Sequence, residues 1–142
     1  MGDRCRVVVT CRTADEALFR EIGFGKEFDG DEPQNGVSEL VDNEANYAAW
    51  SELRELAGKG IVFFGHHHEG VEYGPSKFAS DGKAVHFVDV DWGGNVTIPV
   101  KPGINGLRMD KKHQRALMQF FRVLDRAEAF VYQEQRKRKG AK

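Results

Sequence analysis

Three consecutive histidines, His66-His67-His68, close an apolar run, Ile61-Val62-Phe63-Phe64-Gly65. A β-strand sends successive side chains to opposite faces, so His66 and His68 would share one face with Val62 and Phe64, and His67 would take the other. Two neutral imidazoles placed this way are a common pair of ligands for a divalent transition metal. A second candidate site gathers cations. Lys111, Lys112 and His113 fall in the first turn of a helix that opens after Asp110, and Lys101 and Arg108 lie on the Gly-containing loop before it. Cations in that turn oppose the helix macrodipole, and a local rule broken in this way sometimes marks function. Together the five can hold a phosphate at the helix N-terminus, in competition with Asp110, which as N-cap takes the same amides. Asp89 and Asp91 alternate onto one strand face as a carboxylate pair, a pattern that an outward, solvated strand face also produces. The chain carries no nucleophile elbow and no Walker or Rossmann fingerprint.

From Gly60 to Ala79 the chain resembles the first motif of the cupin family: a Gly, five residues, His-x-His, three or four residues, Glu, six residues and a Gly. Gly60, His66, His68 and Glu72 fit, and Ala79 stands where the final Gly belongs. The resemblance implies a metal held by His66, His68 and Glu72. A tight turn at Glu69-Gly70 would instead set Glu72 opposite His67. No second motif with Pro-x-Gly and a later His follows, and the double-sheet barrel of a cupin is nearly all β, whereas this chain has long helical patterns.

The elements around these residues follow from periodicity. Arg4 to Arg12 alternates, with Cys5, Val7, Val9 and Cys11 on the apolar side, which predicts a strand with two buried thiols. Six residues apart on one strand, the thiols would be about 20 Å from each other, too far for a disulfide. Thr13 and Glu16 form a capping box for a short helix through Phe19 and Ile22, stopped by Gly23. Val37–Val41 reads as a short strand, and Asp42 or Asn43 can cap a helix from about Glu44 to Ala57. The run Ile61–Phe64, apolar at every position, predicts a central strand covered on both sides. Val71–Tyr73 is expected to return antiparallel, ended by Pro75, and Asp81-Gly82 marks a further hairpin. Ala84–Asp91 and Asn95–Val100 flank Trp92-Gly93-Gly94. Only a three-residue loop, pairing Val90 with Val96, collects Val88, Val90, Val96, Ile98 and Val100 on one face. Lys101–Met109 reads as loop. A long helix from Asp110 then carries Leu117, Phe120, Phe121, Leu124, Ala127 and Val131 at helical spacing, with Phe121 expected in the core.

The expected fold is therefore α+β: a mostly antiparallel sheet of five or six strands packed against two short helices and one long C-terminal helix, in the order βαβα, four strands, α. Residues 1–135 are read as a single domain and 136–142 as a basic tail. No apolar run approaches the ~18 residues of a membrane span and the first residues lack the apolar stretch of a signal peptide, so no membrane association and a cytoplasmic location are expected. Net charge is −1, yet 14 acidic and 4 basic residues lie between Asp15 and Glu72, and 4 acidic and 12 basic from Lys101 to Lys142. Such asymmetry points to charged partners, or to two regions that neutralise each other. The function these features predict is a small non-catalytic binding or regulatory protein acting through a protein partner or as a homo-oligomer, with no cofactor. The alternatives are a metal-dependent enzyme using His66 and His68, and a nucleic-acid or nucleotide binder using the basic C-terminal region.

Overall fold

The computed structural model describes residues 3–26, 36–98, 100–103, 106–133 and 135–136. Strand β1 (Arg4–Arg12) leads through a short 3-10 turn into helix α1 (Glu16–Glu21). Strand β2 (Val37–Asn46) and helix α2 (Trp50–Gly58) follow, then β3 (Val62–His67), β4 (Ser76–Asp81), β5 (Val85–Asp89), β6 (Val100–Gly103), β7 (Gly106–Met109) and α3 (Lys111–Val131). Five strands form one antiparallel sheet in the order β2-β1-β3-β4-β5, and β6 pairs with β7 in a separate hairpin. This is the expected α+β arrangement. Of the basic tail, only Arg136 lies within the described residues.

Register explains the layering. Val9, Gly65, Phe78 and Phe87 stand in one cross-strand row, and Cys11, Phe63, Ser80 and Val85 in another. These rows face α1 and α2, whose Phe19, Leu53, Leu56 and Ala57 join the main core. The alternate rows, Val8–His66–Lys77–Val88 and Thr10–Phe64–Ala79–His86, face the other way. There Ala79 and Val88 meet Phe120 and Val123 of α3. β3 is thus covered on both sides, as its unbroken apolar run requires. Gly65 has a further reason to be glycine: a Cβ there would lie 2.9 Å from the Phe78 ring and collide with the Val8 carbonyl.

Several boundaries differ from the sequence reading. The helix expected from Glu44 begins at Trp50, because β2 keeps pairing with β1 as far as Asn46 opposite Arg4. Tyr47, Ala48 and Ala49 then turn in the left-handed region, with φ of 48°, 55° and 55°. The capping box does not close. The Glu16 carboxylate instead accepts from the Ser38 hydroxyl of β2 at 2.8 Å, and Thr13 Oγ1 lies 2.9 Å from the same hydroxyl. The strand returning beside β3 is Ser76–Asp81; residues 68–75 are irregular, with the Val71 and Glu72 amides donating to the Asp3 carboxylate, both at 2.8 Å. Val90 does oppose Val96, but Ile98 and Val100 are exposed, so the apolar face ends there. Of the stretch Lys101–Met109, read as loop, residues 101–103 and 106–109 are strand, β6 pairing with β7. In α3 the buried stripe is Phe120, Val123, Ala127 and Val131; Phe121 is 46% exposed.

Candidate functional site

The end of β3 presents its histidines as alternation dictates. His67 is 1% exposed and lies among Trp50, Tyr73 and Phe87, with ring centroids 5.9, 5.5 and 6.3 Å away. Its Nδ1 lies 2.8 Å from the His68 carbonyl, which can only accept, so Nδ1 carries the proton and donates. Its Nε2 accepts from the Trp50 indole at 3.4 Å. Both ring nitrogens are therefore engaged in the neutral form, and burial holds the pKa below the usual histidine value.

His66 and His68 point to the opposite, solvent-facing side. Their rings lie nearly parallel, 20° apart in plane and 6.2 Å between centroids. Partial burial lowers the His66 pKa, and the neighbouring His68, Lys77, Arg6 and His67 add to the shift. Glu72 does not join them. It sits exposed on the irregular loop that Asp3 anchors, and among the described residues no three His, Cys, Asp or Glu side chains converge on one point. The chain thus offers two imidazoles to a metal, without the carboxylate that the cupin-like spacing implied.

An open cleft of about 320 Å³ lies beside this pair. His66 and His68 line one side, Pro75 and Lys77 the start of β4, and the loop Val90–Gly94 the far rim. That loop is built by Asp91, whose Oδ1 accepts from the Gly93 and Asn95 amides, both at 2.9 Å. Gly94 supplies the positive φ, 80°, that a three-residue connection needs. These amide bonds hold the Asp91 pKa below the carboxylate norm, so Asp91 is not tuned as an acid. At the tip Trp92 is 86% exposed. No family model, curated protein or solved structure matches this chain.

The basic candidates behave differently. Lys101 and Arg108 face each other across the β6–β7 hairpin. Asp110 caps α3, accepting from the Lys112 amide at 2.9 Å, and its Oδ2 lies 3.5 Å from His113 Nδ1. The Lys112 amide bond, then His113 and Lys101, hold the Asp110 pKa low. The place an anion would take at this helix end is filled by the chain's own carboxylate. Lys111 and Lys112 are exposed. The thiols are unreactive by environment: burial, then Asp15 and Glu16, pushes Cys11 up to about 12, and burial raises Cys5.

Sequence reasoning missed Trp50, Tyr73, Lys77 and Trp92. For Trp92 a signal was present: Asp91-x-Gly-Gly-Asn is a side-chain-built turn, and a large aromatic at its tip has nothing to pack against.

Proposed function

We propose that the chain is a non-catalytic binding protein that acts by docking a second copy of itself. Three observations support this reading. Several groups with chemical potential are committed to structure: His67 by both nitrogens, Asp91 by its loop amides, both thiols by burial. Large apolar side chains instead stand in solvent along the segment that carries the basic residues, Ile98 at 48%, Val100 at 50%, Met118 at 50% and Phe121 at 46% exposure. Met118 and Phe121 are three apart on α3 and neighbour each other on its surface, flanked by half-buried Leu117 and Leu124.

The observation that carries the proposal is the state of the charges. Among the described residues ion pairs join Arg4 to Glu44, Arg12 to Asp15, Arg20 to Glu16 and Lys59 to Glu55, and His113 lies 3.5 Å from Asp110. Among the described residues none links the basic region after Lys101 to the acidic region before Glu72. Exposed Glu39, Glu52, Glu69 and Glu72 on one side, and exposed Lys101, Arg108, Lys111 and Lys112 on the other, face solvent in a single copy. Two copies can satisfy both signs at once, and an isologous contact does so twice. The apolar ridge supplies the desolvated centre that such an interface needs, and the charges supply its rim.

Sedimentation velocity of the full chain at low and at physiological salt tests this. The expected result is a dimer at low salt that weakens as salt rises, and a folded monomer for Phe121→Asp. A monomer at both salts, up to the highest soluble concentration, refutes the reading.

A further inference from the structure

We infer that the cleft beside His66 and His68 binds a small aromatic ring that carries an anionic group. The inference is independent of self-association, since none of its residues lies on the α3 ridge.

The charge of the ligand follows from what surrounds His66. Arg6 stands beside it on the same face of β1, Lys77 is its register partner on β4, and His68 is two residues on along the chain. Arg6 and Lys77 are cations, and the His66 and His68 rings lie beside them. Among the described residues no carboxylate lies within ion-pair distance of Lys77. The one acidic residue of the lining, Asp91, directs its oxygens to the Gly93 and Asn95 amides and the Asn95 side chain. Asp89, two residues before it, belongs to the row of His67 on the other face. An anion entering the cleft would meet a lysine ammonium and two imidazole edges at once, which is the arrangement that charge-assisted hydrogen bonds favour.

The aromatic part follows from Trp92. An indole left almost wholly in water, on a loop fixed by four residues of its own turn, is a surface kept open for contact. Gly93 and Gly94 beside it carry no side chain to block a flat partner. Pro75 adds apolar area to the lining. The volume, about 320 Å³, is at the lower end for small-molecule sites, roughly 300–1,000 Å³, and suits a mononucleotide or an aromatic acid.

The test uses the intact protein, with adenosine monophosphate and indole-3-carboxylate as probes and with adenosine and inorganic phosphate as halves of the chemistry. Tryptophan fluorescence and titration calorimetry are read together. At least one anionic aromatic should quench emission saturably and bind about tenfold or more tighter than adenosine or phosphate. The tighter of the two assigns the anion as phosphate or carboxylate. Trp92→Ala and Lys77→Gln should each weaken binding about tenfold, roughly 1.4 kcal/mol, while circular dichroism and melting stay as in wild type, since Trp92 is exposed and Lys77 half-exposed. No saturable binding of either anionic probe overturns the inference. So does adenosine binding as tightly as its monophosphate, or unchanged affinity in both variants.

Discussion

Phe120 and Phe121 are adjacent, have the same side chain, and should respond very unequally to truncation. Phe120 is 1% exposed and packs with Ala79, Val88 and Val123. Truncating it to Ala removes a filled site, and buried Phe→Ala changes cost about 3–5 kcal/mol. Against a total stability of about 5–15 kcal/mol that is a large fraction. With a urea slope of about 2 kcal/mol/M the midpoint should fall by roughly 1.5–2.5 M. Phe121 is nearly half exposed, and its ring meets Phe120 edge-on at 5.5 Å. Such a contact is worth about 0.5–1.5 kcal/mol, so Phe121→Ala should move the midpoint by only about 0.5 M. The assay is urea denaturation by tryptophan emission at low protein concentration and high salt, so that association contributes little. Under association-promoting conditions the order reverses, because Phe121→Ala should weaken the dimer. Equal loss of stability from the two substitutions would refute the placement of the ridge, and with it the proposed interface.

The buried His67 makes stability depend on pH. Its folded pKa lies below the unfolded value near 6.5, so the folded state takes up its proton later than the unfolded chain. Stability is then full above about pH 6.5 and falls on acidification until the folded pKa is reached, by at most about 1.4 kcal/mol per pH unit. Thermal or urea unfolding between pH 7 and 5, above the range where carboxylates titrate, should show this slope in wild type and a shallower one in His67→Gln; parallel slopes would contradict the neutral, bonded histidine. The thiols should resist a disulfide reagent in native protein at neutral pH and both react promptly after denaturation, because the thiolate is the reactive form and burial suppresses it at Cys5 and Cys11; a thiol that reacts at once in the folded state would show a strand face open to solvent.

Where the sequence was legible, the deciding forces were local. Alternation alone placed Cys5, Val7, Val9 and Cys11 inward, and the same rule sent His67 one way and His66 and His68 the other. The Val90–Val96 register followed from keeping valines on one face, and Asp110 caps α3 through its own side chain. Long-range forces were not legible. Nothing near Glu44 announces that Asn46 will pair with Arg4, and helix propensity there loses to a strand ladder built with a distant segment. The loop after His68 is held by Asp3, a residue 68 positions from Val71, so a reading of Gly70 and Pro75 could not place it. Phe120 and Phe121 stand 100° apart on the helix, and a wide apolar stripe leaves its centre undetermined until the sheet beneath it is known. The candidate site shows the same division: His66 and His68 were visible as a pair, whereas Lys77 enters only because β4 is in register with β3.

The left-handed turn at Tyr47–Ala49 connects these long-range contacts to the cleft. Three successive non-glycine residues at positive φ cost about 1–2 kcal/mol each, and such strain persists only where surrounding contacts over-determine it. Here they do. Ala48 and Ala49 are buried to 0% and 4% exposure, and the Tyr47 amide donates to the Asp3 carbonyl at 2.6 Å, while the Asp3 carboxylate accepts from the loop that carries Tyr73. The turn delivers Trp50 as the first residue of α2, 4.8 Å from the Tyr73 ring and within hydrogen-bond reach of His67. A right-handed continuation would aim Trp50 elsewhere and leave the His67 Nε2 buried without a donor, at a cost of about 1–3 kcal/mol. His67 in turn donates to the His68 carbonyl. The strain is thus matched by bonds that fix the end of β3, from which His66 and His68 project.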